Sequence, residues 1–319
     1  MEKYSLDFEK PIRELERKIE ELQGLARREG IDFEEEIRGL ESRLTKLQDD
    51  TFNHLTPWQK VQLARHPNRP KCLTLAELMF DEFLLLHGDR LYSDDQAVVG
   101  GLARVEERKI VFAGHQKGES VKENLLRNFG MAHPEGYRKA RRLMKLADKF
   151  HRPFLSLIDT PGAYPGIEAE ERGQAQAIAA NLEVMSQLKV PILVIIVGEG
   201  GSGGALGIGL GDRTLLLENS IYSVISPEGC AAILWKSQEK VEQAAETLKL
   251  TAQDLLKIGL IDGIIPEPRG GAHRDPEKTA ANIKESIIKN LDELTDMPPE
   301  ELVKTRYEKY RRIGNFEKR

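Results

Sequence analysis

Val194-Ile195-Ile196-Val197-Gly198-Glu199-Gly200-Gly201-Ser202-Gly203-Gly204-Ala205-Leu206 is the stretch whose reading decides the fold. A β-branched apolar run leads into five glycines within seven residues, and small residues follow. The run reads as a buried parallel strand, and the glycines let the backbone turn sharply with nothing covering its amides. Gly203, Gly204 and Ala205 then open a helix whose first N–H groups lack partners. Such groups, aimed at whatever sits above the strand end, make a site for an oxyanion. The plainer reading is a turn kept free of side chains for helix–sheet packing.

Two other motifs fit the same letters. Gly198-x-Gly200-x-x-Gly203 is a dinucleotide fingerprint, with Glu218 at a usable distance for a ribose hydroxyl, although it lies deep in the chain. Gly200-Gly201-Ser202-Gly203-Gly204 is also a Gly-x-Ser-x-Gly elbow, with Asp262 and His273 following in the order hydrolases use. Neither pattern is specific by itself.

The 319 residues are 40% hydrophobic, enough for one α/β core and an appendage. A net charge of −5 speaks against a nucleic-acid or membrane-surface role. Cys72 and Cys230 stand far apart in no metal-ligand spacing, as expected of free thiols in a cytosolic chain. The first residues, Met1 to Asp7, have no apolar signal region, and the run Val190 to Val197 is too short to span a bilayer. A soluble cytoplasmic protein is the expectation.

Working outward, Ile12, Leu15, Ile19 and Leu22 and then Ile37, Leu40, Leu44 and Leu47 form two narrow helical stripes with a break at Gly30. Asp32 with Glu35 signals the second N-terminus. This predicts an antiparallel helical hairpin within residues 1–50, either serving a partner subunit or packed on its own domain. The domain reading continues with 51–295 as the body and 296–319 as a polar, frayed tail. Thr56-Pro57 starts a short helix, and Thr74 with Glu77 caps another that turns Leu75, Leu78, Met79 and Phe83 inward. Val98–Ala103 and Ile110–Gly114 read as a hairpin of strands. A helix from Pro134 to about Phe150 faces Leu143, Met144, Ala147 and Phe150 inward. Its Arg138, Lys139, Arg141, Arg142 and Lys145 suit either solvent or a phosphate-rich ligand such as coenzyme A.

Phe154–Ile158 is a strand ending in Asp159-Thr160-Pro161-Gly162-Ala163-Tyr164-Pro165-Gly166, followed by a long helix. Asp-Thr-Pro-Gly occurs in GTPases, but no phosphate-binding loop precedes it. It is instead a second strand–glycine turn–helix unit, expected at the same sheet edge as the first. Thr214–Leu217, Ile221–Ile225 and Ile261–Ile265 are further strands. The recurring unit is strand, strand, helix, which points to a spiral of ββα turns.

At Ile158–Gly166, Gly198–Ala205 and Ser223-Val224-Ile225-Ser226-Pro227-Glu228-Gly229 the chain resembles carboxyltransferases of the crotonase superfamily. The resemblance is closer still to the family of α subunits of bacterial acetyl-CoA carboxylase carboxyltransferase. Gly114–Gly118, Asn128–Met131, Pro134–Lys139 and the front hairpin support it. It implies an α/β, crotonase-like spiral of ββα turns with an N-terminal antiparallel helical hairpin. It implies carboxyl transfer from the carboxybiotin of the biotin carboxyl carrier protein to acetyl-CoA, giving malonyl-CoA for fatty acid biosynthesis. By the same resemblance the Gly203 and Gly204 amides form the oxyanion hole for biotin, and Gly162, Ala163, Gly201 and Ser202 line the pocket. The implied assembly is α2β2. Zinc is expected on the β subunit and no metal on this chain. ATP is expected to be used only by the separate biotin carboxylase. A serine hydrolase, a dinucleotide-dependent oxidoreductase and a non-catalytic scaffold subunit are the rival readings.

Overall fold

The computed structural model describes residues 4–30 and 32–314, so the first three and last five residues of the sequence reading lie outside the described residues. One eight-stranded sheet organises the chain. Its strands are β1 (Glu82–Leu85), β2 (Val98–Val105), β3 (Arg108–His115), β4 (Phe154–Thr160), β5 (Ile192–Gly201), β6 (Arg213–Leu217), β7 (Ile221–Ser223) and β8 (Gly263–Ile265). They pair in the order β1-β2-β3-β4-β5-β6-β8, with β7 beside β5. The first three strands are antiparallel and the rest parallel.

The helices ahead of the glycine turn are α1 (Lys10–Glu29), α2 (Glu34–Phe52), α3 (Pro57–Ala64), α4 (Cys72–Met79), α5 (Val121–Leu126), α6 (Pro134–Lys149), α7 (Ile167–Glu171) and α8 (Gln174–Gln187). After β5 come α9 (Ser202–Leu206), α10 (Pro227–Trp235), α11 (Val241–Leu248), α12 (Ala252–Lys257), α13 (Pro276–Thr295) and α14 (Pro299–Arg311). The strand–strand–helix unit appears as β2-β3-α6 and again as β6-β7-α10.

Alternation along β5 explains the layers. Ile192, Val194 and Ile196 pack on one side with Leu143, Met144 and Ala147 of α6 and Met185 of α8. Leu193, Ile195 and Val197 pack on the other with Leu75 and Met79 of α4 and Ile283, Ile287 and Leu291 of α13. A strand covered on both faces must be apolar at every position, which is why the run is unbroken. β5 also changes partners along its length. Leu193–Ile196 pair with β6, and Glu199–Gly201 pair with β7. This handover gives the spiral its turn.

Several local expectations are corrected. α4 begins at Cys72, so Thr74 lies inside it, while Leu78 is exposed and Phe83 belongs to β1. The pairing of β1 with β2, an interaction remote in sequence, decides Phe83. Phe150 is exposed beyond the end of α6. Asp32 accepts the Glu34 N–H at 2.9 Å, yet the residue preceding α2 is Phe33. The long helix after Gly166 is two, broken at Gly173, whose φ is +80°.

The front hairpin forms as α1 and α2, with Ile12 and Ile19 buried and no residue of α2 fully so. Its base is tied to the body. Glu9 accepts the Leu6 N–H and bonds His273, Arg274 reaches Glu16, and Arg269 reaches Asp49. Glu9, His66 and His273 stand close enough to suggest a metal triad. However, Asn68 N–H donates to His66 Nδ1, which leaves the proton on Nε2, and Arg274 and Arg13 lie alongside. The cluster acts as an anchor for the hairpin.

The frayed tail is the largest correction. Residues 299–311 are helical because Arg306, 1% exposed, holds both oxygens of Asp212 at 2.8 Å and donates to the carbonyls of Met185, Leu188 and Val190. Removing one member of a buried pair strands the other without solvent. Arg306→Met is expected to release α14 and lower stability by about 3 kcal/mol, read as a shift of the urea midpoint and loss of amide-exchange protection over 299–311.

Candidate functional site

β4 and β5 run in register from Phe154 beside Ile192 to Ile158 beside Ile196, then slip so that Thr160 meets Gly200. The slip brings the turns that follow them together, backbone against backbone. A Cβ on Gly201 would lie 2.2 Å from the Pro161 carbonyl oxygen, and one on Gly204 would lie 2.3 Å from Gly162 C. No side chain fits between the turns. Thr160 stiffens the first of them, accepting the Gly162 N–H at 3.1 Å and donating to the Gly162 carbonyl at 2.7 Å.

Gly162 and Gly203 are glycines for a different reason. A Cβ on Gly162 would meet nothing within 4 Å, and one on Gly203 only Ile178 Cδ1 at 3.8 Å. Neither has a φ in the left-handed region. Packing and backbone conformation would both accept a side chain, so what these positions keep is open space. Among the described residues, no hydrogen bond from outside α9 engages the Gly203 or Gly204 amide. Unfilled space thus lies at both turns and uncommitted donors at the second.

The rival motifs are not assembled. Gly198 and Gly200 lie within β5 instead of forming a phosphate-binding turn, and Glu218 accepts the Glu267 N–H. Ser202 is exposed with φ +50°, as an elbow would require, but His273 bonds Glu9. Asp262 accepts the Thr214 N–H at 2.7 Å and Lys309 Nζ at 2.5 Å. Neither residue is available as a base or its orienter.

A buried ionic network underlies the turns. Lys117 Nζ donates to Asp159 Oδ1 at 2.7 Å and Glu199 Oε2 at 2.9 Å. Arg65 joins Glu199 at 2.6 Å to Glu228 at 2.5 Å, and the Glu199 N–H donates to Asp159. Burial alone would raise Asp159 and Glu199. Lys117 with Lys71 beside the first, and Lys117 with Arg65 beside the second, hold both below the usual carboxylate range. Burial would likewise lower Lys117, and its two carboxylates reverse this and raise it. His115 is buried with neither ring nitrogen bonded among the described residues, and burial lowers it to about 3.

Sequence reasoning placed the glycine turns and missed this network. A signal existed: Lys117 follows β3, Asp159 lies near the end of β4 and Glu199 near the end of β5, all at carboxyl ends of sheet strands. The basic face of α6 is corrected. Arg138 pairs with Asp89 and Glu135, and Lys139 with Asp94 and the Asp95 carbonyl, so two of its five cations are buried and committed.

The ββα spiral defines the class by its fold, which is crotonase-like. Solved structures share that fold. The transcarboxylase 12S hexamer core matches with TM-score 0.56 at 19% identity, over 69% of this chain and 41% of that one. The β subunit of P. aeruginosa geranyl-CoA carboxylase also matches at 0.56 and 19%, over 76% and 46%. A family model described as "Acetyl co-enzyme A carboxylase carboxyltransferase-like" matches residues 5–314. The acetyl-coenzyme A carboxylase carboxyl transferase subunit alpha of Thermus thermophilus is 58% identical over 98% of each chain. That of Halalkalibacterium halodurans is 56% identical over 98% of this chain and 96% of its own. The chain belongs to the acetyl-CoA carboxylase carboxyltransferase α-subunit family.

Burial lowers His66 and His115 to about 3 from an ordinary 6.5. Below 6.5 the unfolded chain takes protons that these rings refuse in the fold, so stability falls with pH until about 3. Each contributes a loss of about 1.4 kcal/mol per pH unit. In urea titrations from pH 7 to 4, His115→Leu is expected to flatten the slope by about one proton. An unchanged slope would mean that His115 is protonated in the folded chain.

Proposed function

We propose that Gly162 and Gly203 mark the place where this chain receives the biotin head group, and that the Gly203 and Gly204 amides hold its ureido oxygen. The reaction is that of the family: a carboxyl group passes from carboxybiotin to acetyl-CoA to give malonyl-CoA. The observation that carries the site assignment is the space kept by two glycines that neither packing nor backbone geometry requires. A cradle that a Cβ would fill, beside uncommitted N–H donors, fits a flat ring bearing a carbonyl oxygen.

When bound, carboxybiotin supplies the carboxyl group and, once that has left, a basic nitrogen. The chain's own residues orient and stabilise. The Gly203 and Gly204 amides serve the oxygen on which charge gathers, and one such donor is typically worth ~3–4 kcal/mol of barrier. Gly162 with Ala163, and Gly201 with Ser202, line the pocket walls. Glycine at 201 and 204 lets the turns approach, and the Lys117 network beneath holds them in position. No nucleophilic side chain is called for, so Ser202 acts through its backbone.

An α subunit of this family works with a β subunit. We infer an α2β2 assembly that meets the biotin carboxyl carrier protein and leaves ATP to a separate biotin carboxylase. Zinc belongs on the β subunit in this reading, which also supplies the matching donors for the acetyl-CoA enolate oxygen. We infer a cytoplasmic setting from the family; no described helix is long and apolar enough to cross a membrane.

Three variants, each reconstituted with a β subunit and assayed for malonyl-CoA formation, test this. Gly203→Val should fold, since its side chain enters open space, yet turn over at least ~100-fold more slowly. Gly204→Ala should instead lower stability, because its Cβ would strike Gly162. Ser202→Ala should keep most activity. Near-normal turnover by folded Gly203→Val removes that turn from the site. A loss of several orders of magnitude in folded Ser202→Ala restores the hydrolase reading.

A further inference from the structure

A cavity of about 260 Å³ opens beside the first turn, with Pro161 and Glu199 in its wall. Pro161 immediately precedes Gly162, and Glu199 lies two residues before Gly201, so the cavity adjoins both turns. Lys71 and Asn124 line it as well. Lys71 is 6% exposed, and its ammonium makes no hydrogen bond or ion pair with any described residue. Asp159 and Glu119 lie within its field but bond elsewhere, to Lys117 and Thr74. Burial, offset in part by Asp159, lowers the Lys71 pKa.

The donors and acceptors in the cavity do not balance. Both oxygens of Glu199 are taken, by Arg65 and Lys117. Asn124 Oδ1 is taken by the Gly118 N–H at 2.9 Å, which leaves the amide's NH2 without a partner among the described residues. Lys71 and Asn124 thus offer unspent donors, an ammonium and an amide, while Glu119, also in the wall, keeps one carboxylate oxygen without a partner among the described residues. One wall is Phe129, held at φ +56° between Asn128 at +47° and Gly130 at +81°. Consecutive left-handed residues are costly and persist where the surroundings enforce them, often at ligand sites.

We infer that this cavity is a carboxylate subsite, in which the Lys71 ammonium and the Asn124 amide bind the carboxylate of the N-carboxylated donor. The inference rests on the biotin pocket proposed above and adds to it the residues that recognise the charged end. A cation here favours the bound, charged donor over the neutral CO2 that leaves it. Lys71 therefore acts on donor affinity rather than on the chemical step. The same chemistry would suit a phosphate of acetyl-CoA, and the kinetics separate the two.

The first measurement needs no turnover: line broadening of 13C-labelled bicarbonate by the αβ complex. Lys71→Met should weaken bicarbonate binding roughly tenfold, the scale of one charged hydrogen bond, and Lys71→Arg should recover part of it. In carboxyl transfer, Lys71→Met should raise KM for the carboxylated carrier by roughly the same factor, with kcat and the KM for acetyl-CoA little changed. Asn124→Asp, which keeps the acceptor for Gly118 but adds a negative charge, should act in the same direction and decides the matter if Lys71→Met does not fold. Unchanged bicarbonate binding overturns the subsite, and so does a rise confined to the acetyl-CoA KM. If the parent complex makes no malonyl-CoA, the reading of function fails separately, while bicarbonate binding still reports on the cavity.

Discussion

Two turns of main chain touch with no side chain between them, and the site exists because of that contact. The slip between β4 and β5 at Ile158 and Thr160 sets it up, and the missing Cβ atoms of Gly201 and Gly204 permit it. Glycine loses more conformational freedom on folding than other residues, so the arrangement is costly. A second layer of bonds offsets the cost. Tyr137 OH donates to the Gly204 carbonyl, and Asn181 Nδ2 donates to the carbonyls of Tyr137 and Gly207. These lock the short helix α9 to α6 and α8. The donors at its start are therefore held before a ligand arrives, as the proposed role in a transition state requires.

Charge is buried beneath this contact on terms that only mutual satisfaction allows. Asp159 and Glu199 sit at neighbouring strand ends, and each would be expelled or protonated if left alone. Lys117 bonds both at once, and Arg65 closes the far side through Glu228. Ion pairs of this kind add little net stability compared with apolar packing. They do fix geometry, because shifting one member strips several others of their partners. Lys71 stands at the edge of the network with no such partner among the described residues, and this contrast singles it out.

Much of this was legible in the sequence, and the division has a physical basis. The run Val194–Val197 declares a strand covered on both faces, and the helix start at Thr56-Pro57 was readable too. What stayed hidden depends on partners far along the chain. Arg138 and Lys139 look like a solvated face until Asp89 and Asp94 are seen to meet them. Helix α14 is too polar to predict itself, and one arginine reaching Asp212 makes it order. The glycines are the subtlest case. Gly201, Gly203 and Gly204 look alike in the sequence, yet 201 and 204 serve packing and 203 keeps space. Only the position of the nearest atoms distinguishes the two roles.

The segment from Arg65 to Lys71 shows why hairpin and site cannot be treated as independent parts. His66 stacks on His273 at 3.8 Å in the cluster that Glu9 anchors, so this end of the segment belongs to the base of the hairpin. Arg65 reaches Glu199 at the floor of the site, and Lys71 lines the cavity beside it. Between them Arg69, 2% exposed, donates to the Val197 carbonyl on β5 and grips Glu267. Within seven consecutive positions the chain thus meets the hairpin's anchor, the central strand and the cavity beside the candidate site. Pro67 and Pro70 restrict the backbone that joins these contacts. The hairpin's narrow apolar stripes are weak attachments by themselves. Its position is set by buried polar groups that also brace the strand end from which the glycine turn departs.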